Sequence, residues 1–81
     1  MSHLARVAAL PCCICYTQPV QVHHIRGAGL TGVGAKCSDW FTIPLCPAHH
    51  DEFHRDGRMT WEMRHGLQVD HVAQTLEVLY G

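Results

Sequence analysis

This 81-residue sequence has no leader-like apolar segment, no surplus of positive charge and no even set of cysteines. It also lacks any run of the ~18 apolar residues that a membrane-spanning helix needs. The first and last of these absences leave secretion and a membrane span without support. A formal net charge of −1 argues against a strongly basic nucleic-acid binder. Five cysteines cannot all pair, and the expected setting is a reducing cytoplasm, where cysteines bind metal more often than one another. The stretch 27–34 has four glycines in eight residues but no closing Gly-Lys-Ser/Thr. It is therefore expected to be a loop, and not a nucleotide-cradling one.

Histidine is what the chain has in excess: eight, against six Lys plus Arg. That imbalance points to metal chemistry. The charge is also unevenly spread, since residues 1–38 hold Arg6, Arg26 and Lys36 and no acid, while all seven acids fall in 39–81. A phosphate-facing amino-terminal half is compatible with this. At this length a hydrophobic core contributes only ~3–5 kcal/mol and an added staple is usual, so a single domain over 1–81 with a metal as part of its fold is expected.

Residues 2–10 suit a short helix or a strand before Pro11. Cys12 to Tyr16 reads as a tight cysteine turn, and Val20 to Ile25 alternates with β-branched residues as a strand carrying His23 and His24. Trp40 to Ile43 reads as a second strand closed by Pro44. A helix then begins near Pro47, where proline suits the first turn, and ends at Gly57. Two further helical pieces follow within 59–80, the first from Met59 to His65 with a break at Gly66, the second capped by Asp70 with Val69 as a staple. The expected fold is a small α+β domain with a core motif over 12–56.

Two overlapping half-sites meet in Cys46-Pro-Ala-His49-His50. Cys46-x2-His49 pairs with Cys12-x2-Cys15 as a zinc knuckle set, because tetrahedral zinc takes two thiolate or imidazole pairs brought together by a hairpin. Cys13 and Cys37 are left as free thiols, with Cys37 replacing His49 as the main alternative fourth ligand. His50 and His54 stand at i and i+4, so both imidazoles reach one ion from one helix face, and a strand-borne histidine completes a three-ligand site with open positions. His3, His65 and His71 match no ligand spacing. Trp61 and Met63 read as core or partner-facing residues.

The doublet His23-His24, the helical His50-x3-His54 and the Cys12/Cys15/Cys46/His49 frame together resemble the HNH, or ββα-metal, endonuclease superfamily, with its treble-clef-like zinc core. The likeness covers residues 12–54 and is nearest to small phage and prophage proteins related to recombination-enhancement nucleases. The resemblance implies a metal-dependent DNA endonuclease in which His23, His50 and His54 hold a catalytic divalent cation (Mg2+, Mn2+, Ni2+ or Zn2+) and His24 is the general base. It also implies 5′-phosphate and 3′-hydroxyl products. The family often orients its base with an asparagine, and this sequence has none. Asp39 is the nearest substitute, with Thr42 or a backbone carbonyl as alternatives.

Arg26, Lys36 and Arg55 are candidates for phosphate contact. The expected partners are DNA and a recombination or phage packaging protein. A non-catalytic zinc module that binds DNA or a protein is the rival reading, and retention of all four histidines favours the enzyme.

Overall fold

The computed structural model describes residues 1–25 and 38–81. The glycine-rich stretch, Arg26, Lys36 and Cys37 lie outside the described residues. The elements run α1 (His3–Ala8), β1 (Gln21–His24), β2 (Thr42–Leu45), α2 (Pro47–Asp56), α3 (Arg58–His65) and α4 (Gln68–Tyr80). The two strands form an antiparallel hairpin in the register Gln21↔Leu45, Val22↔Pro44, His23↔Ile43, His24↔Thr42. The chain is thus a small α+β fold, with a hairpin and helices as the sequence pattern implies. None of the described helices is long and apolar enough to cross a membrane.

The open choice for residues 2–10 resolves as a helix. Ser2 caps it, its hydroxyl accepting from the Ala5 amide at 3.1 Å. The second strand begins two residues later than Trp40 and runs through Pro44 instead of stopping there. A two-stranded sheet has only edges, and a proline without an N–H is tolerated at an edge. The Pro44 carbonyl still works, accepting from the Cys13 amide at 2.9 Å and so tying the cysteine turn to β2.

Gly57 and Gly66 punctuate the helical half. Their φ values of 86° and 93° lie in the left-handed region that a side chain disfavours, which is why α2 and α3 end where they do. The last helix starts earlier than an Asp70 cap would place it. Leu67 holds the cap position, Asp70 lies in the first turn, and the Gln68 amide donates to the Glu62 carboxylate at 2.8 Å. A carboxylate from α3 does the work of a local cap.

The core gathers Val7, Cys12, Ile25, Ile43, Leu45, Cys46, Trp61 and Val72, with every residue of β2 buried. Trp61 is fully buried, donates its indole N–H to the His49 carbonyl at 3.2 Å and meets Phe53 edge-on. Met63, by contrast, is 86% exposed and is not part of the core. Trp61→Ala should destabilise the zinc-loaded protein by about 3–5 kcal/mol, read as a shift in its denaturant midpoint. A shift under about 1 kcal/mol would show that α3 is not part of the cooperative core.

Candidate metal centres

The cysteine turn is built by its own backbone. The Tyr16 amide donates to the Cys12 carbonyl and the Cys12 amide to the Thr17 carbonyl, both at 2.9 Å, with Tyr16 at a positive φ of 63°. The Ile14 amide points at Cys12 Sγ at 3.4 Å. This presents Cys12 and Cys15 toward Cys46, which caps α2, and His49, one turn into it.

The four ligand atoms lie within 4.8 Å of one another. Cys15 Sγ to Cys46 Sγ is 3.7 Å, and His49 Nδ1 is 3.2 Å from Cys46 Sγ and 3.7 Å from Cys12 Sγ. Tetrahedral zinc with Zn–S of ~2.3 Å and Zn–N of ~2.0–2.1 Å has S···S edges of about 3.8 Å and S···N edges of about 3.5 Å. The three short distances lie within about 0.3 Å of those edges, so these residues are positioned to bind a metal ion such as zinc.

Each thiol has its own electrostatics. Burial pushes Cys12 up, whereas the Thr17 hydroxyl beside Cys15 brings that thiol down to about 6. Cys46 is also lowered; burial alone would raise it, but the His49 amide and imidazole outweigh that. Cys13, outside the cluster, is pushed up to about 12, chiefly by burial. It stays a neutral thiol.

In a second cluster, His23, His50 and His54 bring their ligand nitrogens within 4.8 Å of one another. The i, i+4 spacing on α2 sets His50 Nε2 and His54 Nε2 3.0 Å apart. Two imidazoles at right angles about one ion, each ~2.1 Å from it, would stand about 3.0 Å apart. Behind them stand two glutamines: His23 Nε2 donates to Gln68 Oε1 at 2.8 Å, and His50 Nδ1 to Gln21 Oε1. An imidazole that donates one ring N–H has its other nitrogen free as a lone pair, the arrangement that orients a metal-ligating histidine. Burial lowers both His23 and His50, which favours the neutral, ligating form.

His24, the next residue, lies outside the three-histidine cluster and takes a partner of its own. Its Nε2 lies 3.0 Å from Asp39 Oδ1. An ionised carboxylate only accepts, so Nε2 carries the proton and Nδ1 the lone pair. Asp39 is itself set in a turn, where Thr42 Oγ1 donates to its carbonyl at 2.9 Å. Of the three candidates for orienting His24, it is Asp39 that touches it, while Thr42 acts on Asp39. A pocket of about 500 Å3 is lined by Val22, His23, His24, His50, Phe53, His54, Arg58 and Gln68.

Arg55 does not line this pocket; its guanidinium is engaged by Asp56 through two bonds of 3.0 and 3.1 Å. Arg55 and Arg64 together hold the Asp56 carboxyl down to about 2. Arg58 lines the pocket instead. Its signal was present in the sequence, as the continuation of the four-residue step from His50 to His54, but Gly57 hid it by ending the helix. Gln21 and Gln68 had no comparable signal.

His65, which matched no ligand spacing, joins Glu52 and His49 in a third close group. Glu52 accepts from His65 Nε2 at 2.7 Å and from Arg64 at 3.0 Å. Because His49 Nδ1 faces the sulfurs, Glu52 and His65 are best read as support for the helix end that carries His49. Spacing missed His65 because it reaches the group from α3.

A protein-family model described as "Protein of unknown function (DUF968)" matches residues 1–81. The chain is also similar to the "Uncharacterized protein YdfU" of Escherichia coli (strain K12), 34% identical over 71 residues that cover 88% of this chain and 20% of that protein. The chain thus spans about a fifth of the length of this curated relative. No solved structure matches it.

Proposed function

The chain belongs to the DUF968 family, and from that premise and the chemistry of the two clusters we propose that it is a metal-dependent DNA endonuclease of the HNH, treble-clef-like type. The observation that carries the reading is one pocket in which a three-histidine cluster adjoins a histidine paired to a carboxylate. A divalent cation held by His23, His50 and His54 would supply Lewis-acid stabilisation of charge on the attacked phosphate and on the leaving 3′-oxygen. The remaining steps belong to the chain's own residues.

His24 Nδ1 takes a proton from water as the water oxygen bonds to phosphorus. The phosphorus–O3′ bond breaks, and the leaving oxygen is protonated from solvent. Asp39 keeps the imidazole in the tautomer that has Nδ1 free and stabilises the imidazolium once it forms. Arg58, at the pocket wall, is suited to hold a non-bridging phosphate oxygen. Phe53 packs against the His23 ring at 4.6 Å between centroids and limits its rotation.

Zinc-loaded protein should nick supercoiled plasmid when Mg2+ or Mn2+ is added and leave it intact without them. No cleavage with either cation, in protein whose zinc content and fold are normal, would overturn the nuclease reading and leave the non-catalytic zinc module in its place. Gln68→Leu should weaken binding of Mn2+ or Ni2+ about 10–100-fold while leaving the tightly held zinc in place. Calorimetric titration reads this, and unchanged affinity would remove Gln68 from the support of His23.

A further inference from the structure

Three aromatic rings that take no part in the core meet at the edge of the molecule farthest along α4 from the histidine pocket. His3 of α1 lies against Trp40, tilted, with ring centroids 4.3 Å apart and stacks on Tyr80 of α4 at 5.7 Å, and Trp40 and Tyr80 stand 5.9 Å apart. The Tyr80 hydroxyl bonds His3 Nδ1 at 2.8 Å, which ties the ends of the chain to the turn before β2. His3 Nε2 is buried and has no partner among the described residues. Trp40 and Tyr80 nevertheless stay about half exposed, at 52% and 51%. Single exposed rings are ordinary, but a fixed cluster of rings with open faces is a surface for stacking.

We infer that the Trp40–His3–Tyr80 cluster is a stacking subsite for an unpaired nucleobase of the strand whose phosphate lies in the histidine pocket. The inference deepens the nuclease reading, on which it rests, by naming the substrate class: DNA with a single-stranded segment. Two observations favour a nucleobase over an apolar protein side chain. Trp40 directly follows Asp39, the residue that bonds His24, so the cluster and the base share one turn. Arg6 lies three residues after His3 on α1, hence on the same helix face, and makes no ion pair among the described residues.

The spacing is set by α4. Gln68 lines the pocket and Tyr80 closes the cluster, and twelve helical steps of 1.5 Å separate them by about 18 Å along the axis. At ~3.4 Å per stacked nucleotide this is about five nucleotides at most. Bases of an intact duplex are already stacked on their neighbours, so only an unpaired one can take the ring face.

The test uses zinc-loaded His24→Ala protein, which binds without cutting, and follows tryptophan emission as oligonucleotides are added. Trp61 is fully buried, so a quench reports Trp40. An oligothymidylate of about eight nucleotides should quench and bind about tenfold more tightly than one of about three, and more tightly than a blunt hairpin duplex. Trp40→Ala should lose about tenfold in affinity for the longer strand, and Trp40→Phe should recover most of it. Binding of the longer strand without a quench, or with equal affinity in Trp40→Ala, would overturn the subsite, as would equal quenching by the duplex. The same oligonucleotides offered to the His24 protein with Mn2+ separate the two readings. Cleavage with no Trp40 quench defeats the subsite alone, and a quench with no cleavage defeats the nuclease alone.

Discussion

Removing the metal from Cys12, Cys15, Cys46 and His49 is expected to unfold the domain. Cys12 and Cys46 are themselves core residues, at 0% and 6% exposure, and they join the turn before β1 to the start of α2. Among the described residues the sheet they brace has two strands, and an isolated hairpin is marginal in water. A structural zinc contributes an apparent ~10–16 kcal/mol at neutral pH, against a typical total stability of ~5–15 kcal/mol. Without it, sulfurs 3.7 Å apart and a buried thiol remain with nothing to hold them. A strong chelator at pH 7 should therefore abolish helical circular dichroism and near-ultraviolet tryptophan signals together, and zinc should restore both. Cys46→Ser should give a protein that retains no stoichiometric zinc and does not fold. A chelated protein that keeps its native spectrum would show that the apolar core suffices and that the cluster is dispensable.

His24→Ala should lower the cleavage rate by about 10²–10⁴-fold, the usual contribution of a positioned general base. Zinc content, fold and cation affinity should be unchanged, because His24 belongs to neither cluster. Its partner gives a finer test. In the proposed mechanism Asp39 acts only through its 3.0 Å contact with His24 Nε2, so Asp39→Ala should cost less than His24→Ala and the double variant no more than His24→Ala alone. A double variant that is slower by the product of the two effects would show that Asp39 acts elsewhere, as a ligand or a substrate contact. A rate in His24→Ala within a few-fold of the parent would remove His24 as the base and shift attention to water activated without a side-chain base.

Both experiments depend on features with different visibility in the sequence. The two halves of the Cys12/Cys15/Cys46/His49 cluster and the His50/His54 pair were legible because the members of each are joined by two- and three-residue spacers, whose geometry a turn or one helical turn dictates. The glycine stops after Asp56 and His65 were legible for the same reason, since φ above 80° is a local demand. The ends of β2 and α4 were not. Pro44 reads as a strand breaker unless the strand is known to be an edge, and Asp70 reads as a cap unless Glu62 is known to reach the Gln68 amide across a turn.

The sequence by itself determined the paired half-sites Cys12-x2-Cys15, Cys46-x2-His49 and His50-x3-His54 and the helix that carries the last two, because covalent spacing and helical period place neighbouring side chains without reference to the rest of the molecule. Only the tertiary structure decided what surrounds those ligands. Gln68 reaches His23 across 45 residues. Asp39 closes on His24 through the register of the hairpin. Arg58 lines the pocket while pairing with Glu62 at 3.8 Å, and Arg55 pairs with Asp56 away from it. Those contacts follow from how α3 and α4 pack on the hairpin, and packing between distant segments depends on the whole set of buried surfaces, which no short interval of sequence encodes.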